Sequence, residues 1–109
     1  VDVHPDGFAQ NLADGIRRAR YRHGHQPQWL TTGEPTEMHI DLWATANVFK
    51  AGHRIRVDVT SSSFPRWDRN PNTGAPWGQD ADLQPAHNQV LHDAAHPSHI
   101  LLPVIPPPD

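Results

Sequence analysis

The sequence predicts an all-β fold, an antiparallel β sandwich or jelly roll, on two observations. Twelve prolines and seven glycines among 109 residues interrupt the chain too often for long helices. Between these interruptions apolar and polar residues alternate over short stretches, which is the period of half-buried strands. Roughly five or six such stretches at irregular spacing, joined by long loops, are typical of a sandwich.

The first strand pattern starts at residue 1, in the middle of an alternation over residues 1–4, so we expect the sequence to begin within a strand. Pro5-Asp6-Gly7 predicts a turn, because Pro fixes φ and Gly reaches positive φ. Apolar residues in 8–22 fall at helical spacing, but Gly15 interrupts them. Residues 15–22 also fit a strand, so the sequence of this segment alone permits either a helix or a strand.

The rest of the chain alternates between loops and predicted strands. Residues 23–35 hold two glycines and two prolines and predict a loop. Alternation predicts strands over 38–42 and, most clearly, over 55–59, with a connection at 46–52 that ends in an Ala-Gly turn. After a loop rich in Gly, Pro and Asp at 71–85, two more strands are predicted, over 87–93 and 100–105.

Composition excludes several kinds of function. The absence of cysteine excludes disulfides, thiolate metal sites and a cysteine nucleophile. A net charge of −3 gives no basic excess for nucleic-acid binding, and no apolar run approaches the ~20 residues of a membrane helix. The hydrophobic content of 36% is below the ~45–50% of typical domains, which predicts a thin core or one completed by a neighbour. The compartment stays open, because a targeting signal would precede Val1.

Serine and histidine give no convincing catalytic or metal site. No glycine pair brackets a serine as in the Gly-x-Ser-x-Gly nucleophile elbow, so the run Ser61 to Ser63 is interpreted as a strand end whose hydroxyls bond to backbone. His92, His96 and His99 have helical spacing, but Pro97 disfavours a helix there. The His23-Gly24-His25 stretch offers only weak chelation in a loop, so no metal ligand and no cofactor is predicted.

Tryptophans offer a second functional reading, a stacking platform for carbohydrate. Trp43 lies at the end of a strand pattern and is expected in the core. Trp67 and Trp77 lie in predicted loops, where large aromatic side chains often mark binding interfaces.

The segment 61–74, SSSFPRWDRNPNTG, concentrates charged, aromatic and turn-forming residues. Arginine forks pair well with carboxylates and carbonyls, and the Asn and Gly residues at its end tolerate left-handed φ. Local chemistry therefore predicts a rigid, hydrogen-bonded loop that caps a β edge.

Three stretches, DGFAQNLADGIRRARYR, IDLWATANVFKAGHRIRVDVTSSSFPRWDRNPNTG and HDAAHPSHILLPVIP, resemble the C-terminal domain of the cocaine esterase-like (CocE/NonD) hydrolases, within the X-Pro dipeptidyl-peptidase superfamily. The resemblance covers nearly the whole chain in order. It implies a serine hydrolase with an α/β-hydrolase domain, a helical cap and a C-terminal jelly roll, a galactose-binding-like β sandwich. The Ser-Asp-His triad belongs to the α/β domain, so no catalytic residue of the family maps here.

The resemblance further implies that residues 1–109 are the C-terminal part of the jelly roll, and that 15–22 form a strand. The implied partner is the α/β-hydrolase domain of the same protein, with homo-oligomer contacts as a second kind of partner and neither nucleic acid nor membrane. The implied substrates of the parent are esters, amides or X-Pro peptides. The candidate contacts with the catalytic domain are Phe64, Arg66, Trp67, Asp68, Arg69 and Asn70.

The main functional hypothesis is thus a non-catalytic β domain that packs on and shapes a hydrolase domain. The alternative is an independent carbohydrate- or protein-binding β-sandwich module, favoured by the loop tryptophans. A self-contained enzyme using the serine run is the third, and it would require a positioned base and an oxyanion hole.

Overall fold

Three short strands form an antiparallel sheet in the order β2–β1–β3, with β1 at Asp2–Val3, β2 at Ala9–Gln10 and β3 at Arg54–Ile55. A computed structural model describes residues 1–76 and 78–106 of the chain. It divides into two compact units, Val1–Asp58 and Val59–Asp109. The described structure is thus non-helical apart from one 3-10 turn at Ala19–Tyr21, in agreement with the all-β prediction.

A tight hairpin joins β1 to β2. Asp2 pairs with Gln10 and Val3 with Ala9, and the His4 amide donates to the Phe8 carbonyl at 2.8 Å, which continues the ladder into the loop. The predicted turn at Pro5–Gly7 is confirmed, with Gly7 at φ 91°. That conformation suits glycine because it has no Cβ to clash with the backbone.

The strand β3 reaches the other edge of β1 through the predicted turn at Ala51–Gly52. Gly52 has φ 85°, and the His53 amide donates to the Lys50 carbonyl at 3.0 Å. Val3 then pairs with Arg54 and Asp2 with Ile55. This register brings residues from two distant parts of the first unit onto one sheet face.

The pairing of β3 is shorter than the alternation over 55–59 predicts. The amide of Arg56 donates to the Val1 carbonyl at 2.9 Å, which is the last ladder contact. Val57 and Val59 are exposed. The alternation marks a stretch suited to a pleated surface, but a strand also requires a hydrogen-bonded neighbour, and no strand of the described residues pairs with 57–59.

Four other predicted strands do not form. In the first unit, residues 15–22 contain the 3-10 turn Ala19–Tyr21, and 38–42 contain no strand. In the described part of the second unit, 87–93 and 100–105 are likewise irregular. Their side chains are exposed, as Ile40 is at 46% and Leu101 at 83%, and none of the strands in the described residues pairs with them to complete a ladder and a core.

No helix among the described residues has the length and apolar character needed to cross a lipid bilayer.

The buried interior of the described chain is small. Among the described residues, the buried hydrophobic residue is Val3, which is 7% exposed, and the buried polar residue is Asp2, which is 2% exposed. Both lie on the central strand β1, so this strand is the centre of the described interior.

We expect Val3→Ala to lower the free energy of unfolding by about 1.5 kcal/mol, because it removes buried methyl groups from the central strand. Val57→Ala, at a position 56% exposed, is the matched control and should cost less than about 0.5 kcal/mol. Urea unfolding measures both, and equal losses would contradict the placement of Val3 in the interior.

Candidate functional site

A buried carboxylate, Asp2, is the centre of the most connected polar cluster in the first unit. Its Oδ1 accepts a hydrogen bond from His53 Nδ1 at 2.8 Å, and its Oδ2 accepts one from Asn47 Nδ2 at 3.1 Å. His4 Nε2 lies 4.0 Å from Oδ2. The side chains of Asp2, His53 and His4 are 3%, 11% and 31% exposed. One carboxylate thus links two segments that are far apart in sequence, residues 2–4 and 47–53.

The sheet register explains why these groups meet. Asp2 and His4 are two residues apart on an extended chain and therefore face the same side. Pairing of Val3 with Arg54 sets His53 opposite His4. The two imidazole rings pack with their centroids 4.2 Å apart. The rings of His4 and Phe8 pack edge to face, with their centroids 5.1 Å apart.

The electrostatics of the cluster favour an ionised Asp2. Burial opposes ionisation, but the hydrogen bonds from Asn47 and His53 and the charges of His53 and His4 outweigh it, so the pKa of Asp2 lies below its ordinary value of 3.8. The cluster is therefore anchored by a negative charge on the central strand β1.

One nitrogen of the cluster lacks a partner. Within the described structure, His4 Nε2 is buried and makes no hydrogen bond. A buried polar atom without a partner costs about 1–3 kcal/mol. The Oδ2 atom of Asp2 lies 4.0 Å from it.

Metal-ligating chemistry is therefore concentrated here, where the sequence did not predict it. Among the residues the structure describes, Asp2, His4 and His53 form a group whose ligand atoms all lie within 4.8 Å of one another. The missed signal was Asp-x-His on a predicted strand, which places two ligands on one face. The third ligand, 49 residues further along, follows only from the strand register.

His96 and His99, which the sequence analysis considered as metal ligands, form local hydrogen bonds in the structure. His96 donates its backbone amide to Asp93 Oδ1 at 2.9 Å, and its ring nitrogen Nδ1 lies 3.1 Å from the same oxygen. These bonds, with a smaller one from Ala95, lower the pKa of Asp93 despite partial desolvation. His99 Nδ1 instead bonds the Pro97 carbonyl at 2.7 Å. The geometry is that of a local turn.

The candidate contact residues lie together on one loop of the second unit. Phe64 is 68% exposed, and the Trp67 amide donates to the Ser63 carbonyl at 3.1 Å. The guanidinium of Arg66 lies 5.4 Å from the centre of the half-buried Trp67 ring. Arg66 and Asp68 each make further contacts. The loop is thus turned and locally bonded while its phenylalanine faces outward.

The end of the same loop is held to a second segment. Asn70 Oδ1 accepts from the Asn72 amide at 3.1 Å, and Asn72 Nδ2 donates to the Gln84 carbonyl at 2.9 Å. The Gln84 amide in turn donates a hydrogen bond to the Pro71 carbonyl at 2.9 Å. These bonds agree with the hydrogen-bonded loop that the sequence predicts, whereas its rigidity and its place at a β edge stay predictions. The bonds border an open depression of about 400 Å³ lined by Ser61, Ser62, Arg69, Asn70, Asn72, Leu83, Gln84 and Pro85.

The tryptophans are more exposed than expected. Trp43 is 84% exposed and has φ 65°, so the prediction that it belongs to a core is wrong for this chain. The local strand pattern that suggested burial did not form. Trp29 is 60% exposed and lies under the Arg20 guanidinium at 4.5 Å. Trp77 lies outside the described residues.

Comparison with known proteins now gives the family. The model of the X-Pro dipeptidyl-peptidase C-terminal non-catalytic domain matches residues 1–101. The cocaine esterase of Rhodococcus sp. (strain MB1 Bresler) is 48% identical over 108 residues, which cover 96% of this chain and 19% of that protein. The chain therefore spans about a fifth of its relative's length. No solved structure gave a significant match. The chain belongs to the X-Pro dipeptidyl-peptidase C-terminal non-catalytic domain family, as the resemblance of its motifs indicated.

Proposed function

We propose that this chain is the C-terminal part of a jelly-roll domain that packs against the α/β-hydrolase domain of the same polypeptide and shapes its active site. Two findings support the proposal. The matching family is a non-catalytic domain, and the cocaine esterase relative is about five times as long as the matched region.

The observation that carries the proposal is the amount of apolar surface left uncovered. Trp43, Leu101, Val104 and Ile105 are each more than 80% exposed. Large exposed apolar areas mark surfaces that pack against a partner, so the chain needs further structure to bury its hydrophobic side chains.

The loop 64–70 is the contact we propose for the catalytic domain. Its backbone is fixed by local bonds, which lowers the entropy cost of docking. Phe64 offers an exposed aromatic anchor, and Arg66 and Arg69 offer charged donors beside it. An aromatic anchor flanked by arginine is the usual composition of an energetically important contact.

The chemistry belongs to the remainder of the polypeptide under this proposal. We infer acyl transfer through a serine nucleophile, a histidine base and an oxyanion hole, on esters, amides or X-Pro peptides. The first check is the reading frame before Val1, where we expect a Gly-x-Ser-x-Gly motif. A frame that encodes no such motif would contradict the proposal.

The contact itself is tested with Phe64→Ser in the complete polypeptide and in the isolated chain. In the complete polypeptide we expect a loss of about 2 kcal/mol in unfolding free energy, because a buried aromatic anchor is removed. In the isolated chain the same change should cost less than about 0.5 kcal/mol, since Phe64 is already exposed. Urea unfolding, with ester turnover as a second reading, measures both.

Phe64→Leu is the matched control, because it keeps an apolar anchor of similar reach. It should retain most of the stability that Phe64→Ser loses. Hydrogen exchange should also slow across 64–70 in the complete polypeptide. An equal effect of Phe64→Ser in both contexts, with equal exchange, would overturn the proposed contact.

A second candidate is an independent carbohydrate-binding module. The supporting observation is the exposed Trp29, whose ring is held in place by Arg20 at 4.5 Å. Retention of residues 1–109 on an immobilised sugar, lost in Trp29→Ala, would favour this candidate over the hydrolase domain.

A further inference from the structure

Three side chains that can ligate a metal ion, two imidazoles and one carboxylate, lie close together beside the paired strands β1 and β3. We propose that Asp2, His4 and His53 bind a divalent first-row cation, with Zn²⁺ as the ion that fits best. This inference rests on the geometry of the first unit alone and is independent of the proposed hydrolase contact.

The donor set fits the chemistry of zinc. Two imidazole nitrogens and one carboxylate oxygen are common zinc ligands, and a site with three protein ligands keeps a fourth position for water or another donor. Ca²⁺ and Mg²⁺ prefer oxygen ligands, so two histidines disfavour them. The partly exposed edge of His4 gives the ion and its fourth ligand a route from solvent.

The separation of the donors is close to what an ion requires. Ligands on a tetrahedral zinc ion lie about 3.4 Å apart, given bond lengths of about 2.0–2.2 Å. The donor atoms here lie within 4.8 Å of one another, and His4 Nε2 is 4.0 Å from Asp2 Oδ2. Side-chain rotations that bring the donor atoms closer by up to about 1.4 Å would close the set.

The partnerless nitrogen is the second observation. His4 Nε2 is buried without a hydrogen bond among the described residues and lies beside the Asp2 carboxylate. In the tautomer that carries its proton on Nδ1, this nitrogen presents a lone pair to the cluster. A cation shared with Asp2 satisfies that lone pair and the negative charge together.

Asn47 supplies the outer support that metal sites usually have. Its Nδ2 donates to Asp2 Oδ2 at 3.1 Å, which fixes the carboxylate while leaving lone pairs for an ion. Strand alternation places Arg54 and Arg56 on the opposite sheet face from Asp2 and His4, away from the bound charge. The ion would link the β1–β2 hairpin to the turn that precedes β3.

The test titrates the intact, metal-free polypeptide with Zn²⁺ by calorimetry and with Co²⁺ by visible absorption. We expect one stoichiometric site, a Co²⁺ spectrum of low coordination number and a higher unfolding midpoint with Zn²⁺. His4→Gln should weaken Zn²⁺ binding at least 100-fold, and Asn47→Ala about 10-fold, because outer support is worth about 10–100-fold.

His39→Gln is the matched control, since His39 is 91% exposed and outside the cluster, and it should leave binding unchanged. Far-ultraviolet circular dichroism verifies that each variant is folded, and His53→Gln repeats the test should His4→Gln unfold. Absence of a stoichiometric site, or binding that survives both His4→Gln and His53→Gln, would overturn the proposal. If Zn²⁺ binding is instead lost when His23 and His25 are replaced, the ion binds the loop that holds these two residues. That result would also overturn the proposal.

Discussion

Replacing Gly15 by alanine is expected to destabilise the first unit by about 3 kcal/mol. A Cβ at Gly15 would overlap the carbonyl oxygen of Asp41 and press on the Ile40 side chain. Backbone cannot swing aside as a flexible side chain does. The segments around residues 15 and 41 must therefore separate, and the loss is measured by urea unfolding.

Gly33→Ala is the control that separates this overlap from the general cost of replacing glycine. Gly33 has φ 83° and open space around its Cα, so alanine there meets only the strain of the left-handed conformation, about 1 kcal/mol. Gly15 lies outside that conformation. Equal losses for the two variants would show that the close approach of Gly15 to Asp41 does not occur in solution.

The second large effect is expected from Asp2→Asn in the metal-free protein. The carboxylate accepts hydrogen bonds from Asn47 and His53, and an amide in its place turns a donor toward one of them. The neutral side chain also loses its attraction to the adjacent imidazoles. We expect a clear drop in the urea midpoint at pH 7 and weaker protection of the β1 amides in hydrogen exchange.

The pH dependence of the stability loss identifies ionisation of the Asp2 carboxylate as its cause. Because its folded pKa is below the ordinary value of 3.8, its ionised form stabilises the fold above that pH, and the contribution disappears as the pH falls through the folded pKa. The difference between wild type and Asp2→Asn should therefore be full at pH 7 and 5 and shrink below about pH 3.8. Asn47→Ala should show a smaller difference of the same form. A difference that stays constant from pH 7 to pH 3 would contradict this assignment.

Local residue chemistry predicted those parts of the structure that depend on few neighbours. The turns at Pro5–Gly7 and Ala51–Gly52 formed because Pro and Gly restrict or widen φ in any context. The hydrogen-bonded course of residues 70–72 likewise follows from Asn side chains that bond two residues along the chain. The family was also readable from sequence, since its motifs are specific and span most of the chain.

The strands were predicted least well, for a physical reason that concerns particular segments. Residues 38–42 alternate as a strand should, yet Met38 and Ile40 are exposed and unpaired with any described strand. Alternation reports only that one face of a segment is apolar. Whether the segment becomes a strand depends on a second segment that buries this face and completes the ladder.

The sequence by itself determined the turns, the local hydrogen bonds of residues 70–72, the lack of long helices among the described residues and the family to which the chain belongs. Only the tertiary structure decided that Asp2, His4 and His53 meet, because that depends on the register of β1 against β3, a pairing across about fifty residues. Contacts along a few residues are fixed by covalent geometry, whereas contacts between distant segments are chosen by the packing of the whole fold.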